Sequence, residues 1–402
     1  MEVLQDTYTK IGLNLEILNG FPAKSTFFNN ENKGLPLIRI RNILKGHSET
    51  YYSGEFDSKY LIKNGDILIG MDGDFNIAKW TGIPSILNQR ICKLIDAKDP
   101  FSLEYLYYYL EVELKKIQAR TPSTTVKHLS IKDLRKVNAY CPPLPEQQKI
   151  ADILSTVDEQ ISTTDKIIEM SKELKKGLMQ KLFSEGIGHT EFKDTKIGRI
   201  PMDWEVIQLG ELCEVITKGT TPTTNGFPYL KTGINFVKVE SINAFGRFIK
   251  EKFAFVGEDC YKSFKRSQLK EGDILISIAG ALGRTAIVTE NILPANTNQA
   301  VGILRLKDKS LNNFIRYFLD SYSLQKFIER INVASAQANL NLGHLNKFNI
   351  PFPAINEQQK IVAILSEADA KIEKEQEQKT KLEQLKKGLM QQLLTGRKRV
   401  KV

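Results

Sequence analysis

The sequence predicts an α+β fold built as an internal duplication with a pseudo-twofold: two similar α/β domains and two long helices. Three observations carry this. A segment of about 38 residues occurs twice, ungapped, at a constant offset of about 211 residues. Each copy carries apolar residues at steps of three, four and seven, the stripe of a long helix. The stretches before the two copies echo each other in strand, turn and helix signals. Two copies are too few for a solenoid, which leaves a duplicated molecule.

In chain order, residues 1–142 read as the first domain. Ile11, Leu13, Leu15 and Ile17 alternate and predict a strand, ended by Gly20-Phe21-Pro22. Leu37 to Arg41 predicts another strand, Leu61 to Ile69 a turn and strand, and Ile91 to Ile95 a short strand. Phe101 to Ala119 carries Leu103, Leu106, Leu110 and Leu114 at helical spacing, and the loop Thr121-Pro-Ser-Thr-Thr125 follows.

Residues 143–186 are the first long helix. Pro143 and Pro145 stand at its entrance, EQQKIADILS runs from Glu146, and LKKGLMQKLF runs to Phe183. A helix of about 40 residues spans about 60 Å, so a partner along its stripe is expected. Gly177 has its equivalent at Gly388, which predicts close helix–helix approach. Gly186-Ile187-Gly188 ends the helix.

Residues 187–350 are the second domain, entered through Ile200-Pro-Met-Asp-Trp204 with Trp204 as packing anchor. The first domain has no equivalent tryptophan. Gly272-Asp-Ile-Leu-Ile276 mirrors Gly65-Asp-Ile-Leu-Ile69, Asn298-Gln299 mirrors Asn88-Gln89, and Leu311 to Ile331 mirrors the Phe101 helix. Ser335-Ala-Gln-Ala-Asn-Leu340 takes the place of Thr124-Thr-Val-Lys-His-Leu129. Residues 351–396 are the second long helix, with Pro351 and Pro353, EQQKIVAILS from Glu357, and LKKGLMQQLL to Leu394. The basic tail, 397–402, is expected to be solvated and disordered.

The P-x-P…EQQKI…ILS and LKKGLMQ-L segments, present twice, resemble the two conserved regions of the specificity subunit of type I restriction–modification systems. The resemblance covers essentially the whole chain. It implies two target-recognition domains separated by two long antiparallel coiled-coil helices. Each domain would read one half of a bipartite, asymmetric site in double-stranded DNA. The helices would bind two methyltransferase (modification) subunits and act as a ruler for half-sites about 34 Å apart. S-adenosylmethionine, ATP and Mg are then expected on the partner subunits, the methyltransferase and a restriction subunit. No cofactor is expected on this chain.

Composition agrees. The 402 residues carry a formal charge of +10, which suits a polyanionic partner. No apolar run is long enough to span a membrane, no signal pattern opens the chain, and a cytoplasmic location is expected. Cys92, Cys141, Cys213 and Cys260 are scattered without a C-x-x-C pair, and His47, His128, His189 and His344 do not cluster, so no metal site is expected. The chain has no P-loop, no G-x-G-x-x-G and no amino-methyltransferase motif. Gly280-Ala-Leu-Gly283 reads as a tight turn, and Asp72 and Asp74 as turn residues. No catalytic residue is proposed.

Cations give salt-dependent phosphate contacts, while Arg or Lys to guanine and Asn or Gln to adenine read bases. Arg39 and Arg41 are expected on one strand face, and Lys24, Lys79, Arg90 and Lys127 in loops of the first domain. Lys218, Lys231, Lys238 and Arg284 take similar places in the second. Asn88, Gln89, Asn298, Gln299, Gln337 and Asn339 are the base-reading candidates. Two rival functions stay open: a coiled-coil adaptor without sequence-specific DNA binding, and a self-contained DNA-modifying enzyme.

Overall fold

A computed structural model describes residues 8–121, 127–332 and 340–402. The chain mixes helix and sheet in two repeated units with two long helices. One compact unit is Met1–Asp165 with Glu377–Val402; the other is Lys166–Gln376. The long helices run Leu144–Ser184 and Ile355–Leu393, so each contributes one half to each unit. Pro145 sits inside the first turn of its helix, where a missing N–H costs nothing. Pro351 lies instead in the strand Asn349–Phe352, ahead of the second helix.

In the first unit a four-stranded antiparallel sheet has the order Leu15–Asn19, Ile91–Ala97, Ile67–Gly70, Ile77–Lys79. Its buried Ile67, Ile69 and Leu94 share a core with Leu106, Leu110 and Leu114 of the helix Leu103–Arg120. Ile150 and Leu154 from one long helix and Met390 and Leu393 from the other close that core. Each such side chain contributes about 1.5–3 kcal/mol on burial. The two helix segments run antiparallel here, since Lys386 pairs with Asp158 at 2.9 Å and Lys379 with Asp165 at 2.7 Å.

The second unit repeats the plan. Its sheet order is Cys213–Lys218, Val301–Leu306, Ile274–Ser277, Thr285–Ile287, again antiparallel. Phe183 meets Phe314 and Phe318 edge-on, and Ile361, Leu365 and Trp204 join the same core. Trp204 is buried, as its role of anchor requires.

The echoed Gly-Asp-Ile-Leu-Ile has a physical reason. Gly65 and Gly272 turn at φ 91° and 85°, in the left-handed region that a side chain disfavours. The next carboxylate then ties the turn to the neighbouring strand. Asp66 accepts from Lys63 N and Lys93 Nζ, and Asp273 from Lys270 N and, at 2.7 Å twice, from Arg305. The Ile-Leu-Ile that follows is buried in both units.

A second small sheet in each unit contains one parallel pair, Leu35–Ile38 with Ser85–Leu87 and Ile234–Val237 with Ala295–Thr297. The entrances also match. Tyr8–Lys10 pairs with Asn138–Tyr140, and Glu205–Gln208 with Asn349–Phe352, so the first unit keeps the entrance strand without the tryptophan.

Several expectations are corrected. Ile11–Leu13 is a 3-10 turn, and the strand begins at Leu15. The strand expected at Leu37 to Arg41 is Leu35–Ile38, and Ile40–Asn42 is a 3-10 turn, because the Asn42 Oδ1 accepts the Arg39 N–H at 3.0 Å. Arg39 and Arg41 therefore do not share a strand face. The helix expected over Leu311 to Ile331 is two, Asn312–Leu319 and Tyr322–Asn332. It breaks where Asp320 accepts from Thr285 Oγ1 at 2.5 Å and Ser321 Oγ accepts from Ser323 N. A Cβ built on Gly177 or Gly388 meets nothing within 4 Å, so these glycines make no close helix approach. The basic tail is largely exposed, as expected, but it is tethered rather than loose. Arg399 and the Val400 N–H both bind Glu146.

Candidate nucleic-acid interface

In each unit two turns meet at one end of the four-stranded sheet. In the first, Gly20 donates to Ile91 O at 2.9 Å and Phe21 to Leu87 O at 2.7 Å, so the Asn19–Pro22 turn lies against Asn88-Gln89. In the second, Gly219 donates to Val301 O at 3.0 Å and Thr220 to Thr297 O at 3.0 Å, against Asn298-Gln299. A Cβ on Gly20 would lie 2.0 Å from Asn88 O, and one on Gly219 would lie 2.2 Å from Asn298 O, so only glycine permits the approach.

Within each Asn-Gln pair the two side chains have different work. Asn88 Oδ1 accepts from Arg90 N and Asn298 Oδ1 from Ala300 N at 3.2 Å, so the asparagines shape the turn. Gln89 and Gln299 project beside them, exposed.

The chain around the first turn is strongly polar. Arg90 pairs with Asp72 at 3.3 Å, and His128 Nδ1 donates to the other oxygen of Asp72 at 2.6 Å. Asp74 accepts from Gln118, and Lys127 Nζ donates to Gln118 O at 2.6 Å. Lys127 is thus half-buried and tied to the helix end. The equivalent turn of the second unit, Gly280 to Gly283, carries no such pair. It is closed by Ser277, which donates to Ala281 O and accepts from Arg284 N at 2.8 Å. Arg284 itself is exposed and reaches Ile242 O at 3.3 Å.

Arg39 and Lys238 occupy matching positions, each before a 3-10 turn. Arg39 lies over Phe28 at 5.1 Å and Lys238 over Tyr229 at 5.6 Å. Lys238 also pairs with Glu240. Lys24, Arg41 and Lys231 are exposed on loops or turns. Lys79 and Lys218 end strands rather than lying in loops. Lys79 also pairs with Glu104 and lies over the Tyr107 ring. Gln337 and Asn339 lie outside the described residues, as does most of the expected 121–125 loop.

Four cations escaped sequence reasoning: Lys262, Lys265, Arg266 and Lys270, which line a groove of about 750 Å³ in the second unit. Their signal was the density of Lys and Arg between Lys262 and Lys270. Among the described residues, no group of three or more His, Cys, Asp or Glu side chains gathers as a metal site. Burial pushes the Cys92 and Cys213 thiols up to about 12, values of packed rather than reactive cysteines. No helix among the described residues is long and apolar enough to cross a membrane.

Residues 15–171 and 201–384 match the model of the type I restriction modification DNA specificity domain, once per unit. The chain is 32% identical over 376 residues to the EcoBI specificity subunit of Escherichia coli, covering 89% of this chain and 78% of that one. It is 30% identical over 384 residues to the MjaVIII specificity subunit of Methanocaldococcus jannaschii, covering 91% and 89%. The fold resembles the crystal structure of a type I restriction-modification S subunit from M. genitalium, with TM-score 0.60, 17% identity and 98% of both chains covered.

Proposed function

The chain belongs to the type I restriction-modification DNA specificity family, and from that premise we propose how it reads its target. As a specificity subunit it is a non-catalytic DNA-recognition component. Each unit, on this reading, takes one half of a bipartite, asymmetric site in duplex DNA. The observation that carries it is the pairing of one scaffold with two surfaces. The sheet order, the Gly-Asp turn and the Asn-Gln turn recur, while Asp72 and Arg90 in one unit give way to Ala279 and Ala300 in the other. Duplicated scaffolds with unlike turns suit unlike half-sites.

The same reading assigns the long helices to two methyltransferase subunits and places a restriction subunit in the assembled enzyme, in the cytoplasm. S-adenosylmethionine then resides on the methyltransferase, and ATP and Mg on the restriction subunit.

The test is selection from random duplex DNA with this chain and its methyltransferase partner, at stated salt. A split motif with a fixed gap supports two readers. A single uninterrupted motif means that one unit is silent. An intact complex that enriches nothing favours an adaptor role.

A further inference from the structure

We infer that the second unit grips the backbone of duplex DNA through a basic groove along its edge strand, an assignment that rests on the specificity reading above. The groove runs beside Cys213–Lys218, with Val215 and Thr217 on its floor. Lys262, Lys265, Arg266, Lys270 and Arg305 line it, and no carboxylate does. Arg305 is already neutralised by the buried Asp273, and Lys262 is paired with Glu258 at 2.9 Å. Among the described residues no carboxylate lies within ion-pair distance of Lys265, Arg266 or Lys270, and all three are exposed. Three unbalanced cations side by side are electrostatically unfavourable on their own and favour a polyanion.

The groove is continuous with the recognition turns. Arg266 Nη2 donates to Thr220 Oγ1 at 3.2 Å, and Thr220 lies in the turn held against Asn298-Gln299. A duplex whose bases meet Gln299 would therefore lay its phosphates along this groove. Phosphate contacts of this kind set register without reading sequence.

Among the described residues the first unit lacks the device. The 3-10 turn Lys265–Ser267 corresponds to Ser58–Tyr60, which likewise precedes the Gly-Asp turn. There Lys59 is paired with Asp57, and no helix corresponds to Glu258–Ser263, which carries Lys262. The two halves of the protein thus grip DNA unequally, with more of the salt-dependent affinity carried by the second.

The experiment measures affinity against salt for the complex with its methyltransferase partner, on the site selected for the wild type. Removing one cation that neutralises a phosphate should lower the slope of log K against log salt by about 0.9. Lys265→Gln/Arg266→Gln/Lys270→Gln should lower it by about 2–3, leave the selected motif unchanged and leave thermal unfolding unchanged. Lys265→Gln/Lys270→Gln, which spares the Thr220 bond, should lower it by about 1–2, and Lys59→Gln/Lys63→Gln in the first unit by less. A wild-type slope in the triple variant would overturn the inference. So would a changed half-motif, which would make these side chains base readers. If the wild-type complex selects no motif at all, the specificity reading itself fails, and that outcome is distinct from a wild-type slope on a bound site.

Discussion

Glu146, in the first turn of one long helix, holds Arg399, beyond the end of the other, through Nη2–Oε2 at 2.6 Å and Nε–Oε1 at 2.9 Å. The Val400 N–H adds a third donor at 3.0 Å. Burial alone would raise this carboxyl. The Arg399 hydrogen bonds, the Val400 N–H and the Arg399 charge outweigh burial and hold it below the usual carboxylate range. A depressed native value contributes stability above the unfolded value and loses it as pH falls through the native one. Arg399 is partly exposed, which discounts the pair, so Glu146→Gln should cost about 1–3 kcal/mol at pH 7. The difference from wild type should shrink as pH falls below the carboxylate range. Hydrogen exchange should rise at the Val400 amide; unchanged protection there would refute the latch.

Glu357 is the equivalent carboxylate of the second long helix. It accepts from Ile187 N at 2.8 Å, from His189 Nε2 at 3.0 Å and from Trp204 Nε1 at 3.0 Å. Glu357→Ala leaves these donors unpaired in a largely buried place, at about 2–4 kcal/mol. Glu357→Gln keeps one acceptor oxygen and should lose less. Trp204 emission and exchange of the Ile187 amide report on it directly. Equal stability of the alanine and wild-type proteins would sink the argument.

These two carboxylates mark what a sequence can carry. The repeated EQQKI announced two helices because its signals are local: prolines at the entrance and a stripe at helical spacing. Gly65-Asp66 and Gly272-Asp273 were legible as a turn for the same reason. The Arg399 latch was not legible, since its partner lies about 250 residues away and only packing brings them together. Arg39 and Arg41 were misplaced because the Asn42 side chain competes with the ladder for a backbone N–H. The helix break at Asp320 depends on Thr285, in another strand. The basic groove needed the fold to set Arg266 beside Thr220.

Asp320 offers the opposite pH behaviour. Burial pushes its carboxyl up to about 6, against the pull of Arg316 and the Thr285 hydroxyl. Between the ordinary Asp value and about 6 the native state keeps a proton that the unfolded chain has released. Stability from this group therefore falls as pH rises through that window. Asp320→Asn should flatten the pH dependence of the second unit's unfolding between about pH 4 and 6 relative to wild type. An identical pH profile in the two proteins would remove Asp320 as the cause.

The Asn-Gln turns separate scaffold from reading. Asn298 spends its Oδ1 on Ala300 N, so Asn298→Ala should loosen the turn and lower stability by about 0.5–1.5 kcal/mol. Gln299 is exposed beside it and carries the amide pair that suits adenine. Gln299→Ala should therefore leave stability alone and relax one position of one half-site by about 1–3 kcal/mol, roughly 5–150-fold. Gln89→Ala should do the same in the other half. Selection of each variant with its methyltransferase partner decides the matter. If either change altered both halves together, the division of labour between the units would be wrong. If neither altered any position, the glutamines would be surface residues and the readers would lie elsewhere on the same turns.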